Sequence, residues 1–419
     1  MRKTFRELLR ATLRAAGVHE VYDLADHDVA RLCAGAHRRL HGAAAAWTTS
    51  SGGLQIGAEG AVVSIGSVEE LGEAVPAVLD AVAGGAGVEL RMAIDPATPV
   101  DATIELTPAD GWAEPPEHVI DLLARAERPM VLAGPGVVLD GAVPGLHALA
   151  AASSLGVLNT WGAKGVFDWR SRHHLATAGL QARDFELGGL ADADLVISTG
   201  VDPAEAPPDA LGGSRLLTIP PAALDPLAER WTRPFREIVV PPLRAGLAAV
   251  TQEGWAATGG PLQPTRVTRH YGVASAGGGL VAADPGVSGY WVARTFATTE
   301  LGGVQVPADP DAAGFAVACG LVARLRDRER PVLAVVDGPV DPMVERVLEA
   351  GRSMGIDVPV EAWSADGEPL DPDAHLGRLR DLVAAGSGMV TLATDPAQLD
   401  RMIAVAGPVT AWGGAISGT

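Results

Sequence analysis

A chain of 419 residues, 47% hydrophobic and 20% charged, is long enough for more than one buried core and polar enough to fold in water. Its formal charge of -19 excludes the basic footprint of a nucleic-acid binder, and no apolar run reaches the length of a membrane span. Cys33 and Cys319 lie far apart in alanine-rich helical contexts and read as reduced core thiols.

Residues 4–16 are expected to form a helix with Phe5, Leu8, Leu9 and Leu13 on one face. No apolar signal segment follows the opening Met1-Arg2-Lys3, so a cytoplasmic location is expected. A short strand at Glu20-Val21-Tyr22, a helix over 28–40 and a strand over 43–48 come next. Residues 50–53 read as a turn, 59–64 as a strand, 68–82 as an amphipathic helix and 88–94 as a further strand. Together they give a first α/β domain over 1–105, followed by a proline- and acid-rich linker over 101–116.

A second domain is expected over 115–245. After a helix at 117–125, the run Met130-Val131-Leu132-Ala133 breaks into Gly134-Pro135-Gly136, and Leu195-Val196-Ile197-Ser198-Thr199 ends at Gly200. Further strands are expected at 215–219 and 237–240. Short apolar strands ending in glycine, separated by alanine- and leucine-rich helices, imply a parallel sheet covered on both faces. A third domain over 262–419 repeats the pattern. Its strand at 279–283 runs into Asp284-Pro285-Gly286, and a helix over 311–326 is expected to be capped by Asp311. A strand over 331–336 leads to Asp337-Gly338, followed by a helix at 343–352, a short strand at 358–360, a helix at 374–385 and a strand at 389–393. The fold class is therefore α/β, with three parallel-sheet domains flanked by helices.

Several residues invite chemistry. The stretch Asp284 to Trp291 follows a strand, is rich in glycine and is followed by Arg294, so its amides, Ser288 and Arg294 suit phosphate oxygens. Alternatively it is an interface segment whose Tyr290 and Trp291 pack on a second subunit. His27, between Asp26 and Asp28, is either a poised acid–base group or part of a helix cap. His173 and His174 are adjacent, which suits no shared helix face, so a polar loop is expected there rather than a metal cluster with Asp168 and Asp184. Lys164 lies between glycines but lacks the Ser or Thr of a phosphate loop, and reads as a structural or interface residue.

The order of the three domains resembles that of the thiamine-diphosphate-dependent enzymes related to acetolactate synthase and benzoylformate decarboxylase. The resemblance is clearest at Arg128 to Gly134, Asn159 to Gly165, Gly179-Leu180 and Ala191 to Val196. Weaker matches are Ala16-Gly17-Val18, Ala283 to Gly286, Gly314 to Ala318 and Ala334 to Gly338. It implies a pyrimidine-binding, a central and a diphosphate-binding domain, thiamine diphosphate with Mg²⁺ as cofactor, and decarboxylation or carboligation of 2-keto acids. It also implies a homo-oligomer, dimer or tetramer, with active sites between subunits, and places His27 near the active site as its catalytic candidate. Asp284, Gly286, Ser288, Arg294, Asp337 and Gly338 become the cofactor-binding candidates, with Asp337 the metal ligand. Two family hallmarks are missing. The metal-binding asparagine should fall near Pro359 to Trp363, yet Asn159 is the chain's only asparagine. Asp341 or Glu361 would have to substitute. The glutamate that activates the cofactor's pyrimidine ring has no counterpart between Glu20 and Glu59, and Glu59, Glu69 and Glu70 stand in the wrong context or too late. These departures keep a second reading open, a non-catalytic or repurposed homologue that works as a scaffold or as partner to a separate catalytic chain.

Overall fold

The computed structural model describes residues 3–15, 18, 20–41, 44–48, 53–56, 60–65, 67, 70–71, 74–75, 87–95, 97–100, 114–211, 215–231, 234, 237–276 and 278–414. The chain divides into two compact units, Met1–Gly111 and Trp112–Thr419.

In the first unit the helix Phe5–Ala15 turns Phe5, Leu9 and Leu13 inward, the four-residue spacing that stacks side chains on one helix face. They join Leu54, Ile56 and Leu90 in one core. The strands are β1 (Lys3–Thr4), β2 (Glu20–Tyr22), β3 (Ala44–Thr48), β4 (Gly53–Ile56), β5 (Gly60–Ile65), β6 (Gly87–Met92) and β7 (Pro99–Val100). Five of them form a sheet in the order β2-β3-β4-β6-β5, while β1 pairs with β7. The expected all-parallel sheet is not what forms here: β3 runs antiparallel to β4, and β4 to β6. Residues 49–52 alone separate β3 from β4, too few for the crossover that a parallel pair needs. Much of the expected helix over 68–82 and of the linker over 101–116 lies outside the described residues.

The second unit carries two wholly parallel sheets. The first holds β8 (Pro129–Ala133), β9 (Val157–Thr160), β10 (His174–Ala178), β11 (Leu195–Thr199) and β12 (Leu216–Ile219), in the order β10-β9-β8-β11-β12. Both faces are apolar. Met130, Leu132, Leu158 and Val196 belong to one core cluster, and Val131, Ala133, Val157 and Ile197 to another. This is why the strands read as unbroken hydrophobic runs. The second sheet holds β13 (Leu280–Ala283), β14 (Val304–Gln305), β15 (Val332–Asp337), β16 (Val360–Glu368) and β17 (Met389–Leu392), in the order β14-β13-β15-β16-β17.

Residues 237–240 are not the expected strand. Val239 and Val240 are 79% and 59% exposed, and the prolines that follow bring no amide to a ladder but open the helix Pro242–Ala256. The two sheets of this unit are stitched by polar contacts as well as apolar ones. Gln181 donates to the carbonyls of Met402 (3.0 Å) and Gly407 (2.6 Å) and accepts from the Tyr290 hydroxyl (2.9 Å).

Candidate functional site

The carboxyl ends of β13 and β15 lie side by side, since Ala283 pairs with Val335, and each delivers one aspartate. Asp284 accepts hydrogen bonds from the amides of Gly314 and Ala316, both at 2.7 Å, at the start of the helix Phe315–Arg326. Asp337 accepts from the amides of Val287 (2.7 Å) and Ser288 (2.9 Å), which open the helix Val287–Thr295. Two strand-end carboxylates thus sit where a helix N-terminus attracts an anion. Gly286 makes the second contact possible, because a Cβ there would fall 2.2 Å from Asp337 Oδ2 and its φ of +135° disfavours any side chain.

Burial dominates the electrostatics of both acids. It pushes the Asp284 carboxyl up to about 7 against the pull of its two amides, with Asp337 and Asp341 adding like charge. Asp337 is raised for the same reason, and the amides of Ser288 and Val287 oppose the rise.

The other expected ligands are engaged elsewhere. Arg294 lies six residues beyond Ser288, about 9 Å along the helix axis. There it pairs with Asp184 at 2.6 Å, both side chains fully buried, and donates to the Thr177 carbonyl at 2.8 Å. It therefore ties the two sheets together instead of facing Asp337. Tyr290 and Trp291 are buried within this chain, not held out for a second subunit. Gly338 donates its amide to the Trp363 carbonyl at 2.6 Å and precedes a cis peptide to Pro339. Asp341 caps the helix Pro342–Ser353 through the Met343 amide, at 2.7 Å. Among the described residues, no group of three His, Cys, Asp or Glu side chains could hold a metal ion. The helix expected to begin at Asp311 starts at Phe315, and Asp284 takes the capping role in place of Asp311.

In the first unit His27 opens the helix His27–His41. The Asp26 carboxylate accepts from the amides of Asp28 (3.2 Å) and Val29 (3.3 Å), so the segment has the geometry of a helix cap. Glu59 and Glu69 lie outside the described residues, and Glu70 is exposed. Cys33 and Cys319 are both fully buried.

Residues 116–211, which span β8 to β11, match the family model described as thiamine pyrophosphate enzyme, central domain. The chain carries a thiamine pyrophosphate enzyme central domain. Around it the α/β architecture, with parallel sheets flanked by helices, agrees with the general fold of thiamine pyrophosphate enzymes. No helix among the described residues is long and apolar enough to cross a membrane.

One buried polar cluster has almost no signature in the sequence. Glu361, on β16, accepts from the Tyr271 hydroxyl, from Trp363 Nε1 at 3.2 Å and from His375 Nε2 at 2.9 Å. His375 Nδ1 meets His270 Nδ1 at 2.7 Å, and Arg266 Nε donates to His270 Nε2 at 3.1 Å. With both rings neutral, one proton arrangement satisfies the whole chain: Arg266 donates to His270, His270 to His375, and His375 to Glu361. Burial pulls His270 down to about 3, which keeps that ring neutral. Glu361 is thereby committed to the interior. The only signal in the sequence is an acid inside an apolar strand, and its partners lie up to 90 residues away.

The residues present do not fit a magnesium diphosphate. The amides that would receive phosphate oxygens at the helix Val287–Thr295 already hold Asp337.

Proposed function

We propose that this chain is a repurposed scaffold homologue of the thiamine pyrophosphate enzymes, not a thiamine-dependent decarboxylase or carboligase of 2-keto acids. On this reading its first unit and the two sheets of its second stand in for the pyrimidine-binding, central and diphosphate-binding domains. The observation that carries the reading is the filling of two helix N-termini by Asp284 and Asp337, at the strand ends where the cofactor's diphosphate was expected. The missing asparagine and the commitment of Asp341 and Glu361 to other partners support it. A scaffold of this kind works through assembly, as a homo-oligomer or beside a separate catalytic chain.

Calorimetric titration of the purified protein with thiamine diphosphate, with and without Mg²⁺, tests it. The expected result is no measurable heat and no thermal shift in either condition. Micromolar, Mg²⁺-dependent binding that is lost in Asp337→Ala would overturn the reading.

A further inference from the structure

Lys3 and Lys164 are the only lysines in the chain, and every other basic residue among its 32 is arginine. Lys164 follows β9 through the short turn Trp161–Ala163, its amide donating to the Trp161 carbonyl at 3.1 Å. It stands at the carboxyl end of a parallel sheet, the edge where open α/β folds bind ligands. The turn faces the second sheet's part of the unit: Trp161 Nε1 donates to the Pro307 carbonyl at 3.2 Å, and a Cβ on Gly165 would meet the Glu300 carbonyl at 3.0 Å. Lys164 therefore lies in the seam between the two sheets, partly buried.

Its surroundings are cationic. Arg294 and Arg244 lie within electrostatic reach of the Lys164–His174 corner. Arg244 is held by main-chain carbonyls, those of Trp169 (3.0 Å), Ser171 (3.4 Å) and His174, and no carboxylate among the described residues neutralises it. Asp184 is taken by Arg294, and Asp168 by Arg170 at 2.7 Å. Among the described residues, Lys164 makes no side-chain hydrogen bond and no ion pair. A charged ammonium is poorly placed here, and burial with the Arg294 guanidinium pulls Lys164 down to about 7. Arginine cannot take this role, because its guanidinium does not lose its proton.

We propose that Lys164 is a reactive-amine site that forms an imine with a small carbonyl compound bearing a carboxylate. Arg244, held only by main-chain carbonyls, favours the carboxylate, and the unpaired amine supplies the nucleophile. Nζ bonds to the carbonyl carbon as the C=O π pair moves to oxygen, and the proton released from nitrogen passes to that oxygen. The carbinolamine then loses its hydroxyl and the remaining nitrogen proton as water, which leaves the C=N bond. The proposal does not depend on the scaffold reading, since calorimetry with thiamine diphosphate and amine trapping report on different groups.

Incubation with pyruvate and borohydride, followed by peptide mass mapping, tests it on the intact chain. Lys3 and the terminal amine serve as internal references. The expected result is a reduced adduct on Lys164, formed at least about tenfold faster at pH 7 than on Lys3, because an ordinary lysine titrates near 10.4. Its rate should rise through about pH 7, and acetone, which lacks the carboxylate, should label it more slowly. Lys164→Arg should lose that adduct while the reference amines still react. Adducts confined to Lys3 and the terminus, or equal rates at Lys3 and Lys164, would overturn the proposal, and this comparison within the wild-type chain needs no variant to fold.

Discussion

Asp284 follows a strand that the sequence displays, yet the amides that hold its carboxyl lie far along the chain. A strand ending in Asp-Pro-Gly is visible in the sequence, but the amides it caps lie 30 and 32 residues later. No local pattern links the two. Its titration gives a direct test of the site's electrostatics. The folded carboxyl is pushed up to about 7, above the roughly 3.9 of an unfolded aspartate. The native state therefore keeps a proton that the unfolded chain has lost. This contribution is complete below about pH 3.9 and is lost as pH rises through about 7. Between these limits stability should fall by at most about 1.4 kcal/mol per pH unit on this account. Urea denaturation of wild type and Asp284→Asn from pH 4.5 to pH 8 reads the effect as the difference between the two proteins. A difference that does not change with pH would show that Asp284 is not protonated in the fold.

Among the elements, the helix Val287–Thr295 departs most from its sequence. Glycines, a serine and two aromatics suggest a binding loop, yet the segment is a helix with Ser288, Tyr290, Trp291 and Arg294 all buried. Its start depends on Asp337, which takes two of the amides a helix leaves open. Replacing Asp337 with Ala should cost about 0.5–2 kcal/mol, the usual cost of a lost cap. Gly286→Ala should cost more, since its Cβ would strike Asp337 at 2.2 Å and its backbone would be strained at φ +135°. Denaturation midpoints order the two, and the reverse ranking would mean that the carboxylate moves aside without penalty. The strands β8, β11 and β15 are legible because burial on both faces writes itself as an apolar run. The helix Pro242–Ala256 is not, because only Leu243, Val250 and Gly254 of it are buried and its apolar stripe is thin. The nine residues of β16 also escape a sequence reading, since the strand turns polar after Trp363.

For the whole molecule, periodicity shows repeated α/β units but cannot say which of them share a core. In Trp112–Thr419 the answer lies in long-range polar contacts: Gln181 to Met402 and Gly407, Tyr290 to Gln181, and Arg294 to Asp184. The buried ion pair is the most demanding of these, because removing one partner strands the other charge at a cost of about 3–5 kcal/mol. A unit sealed this way should unfold as one body. The first unit, by contrast, has its own core around Phe5, Leu9, Leu54 and Leu90. A fragment covering residues 112–419 is therefore expected to fold alone and to melt in a single cooperative transition, followed by calorimetry and near-ultraviolet circular dichroism. Light scattering on the full chain and on the fragment then shows which unit carries the proposed self-association. If the fragment melts in two separate steps, the contacts around Gln181 and Arg294 do not join the two sheets into one cooperative body, and the seam that houses Lys164 is weaker than its hydrogen bonds imply.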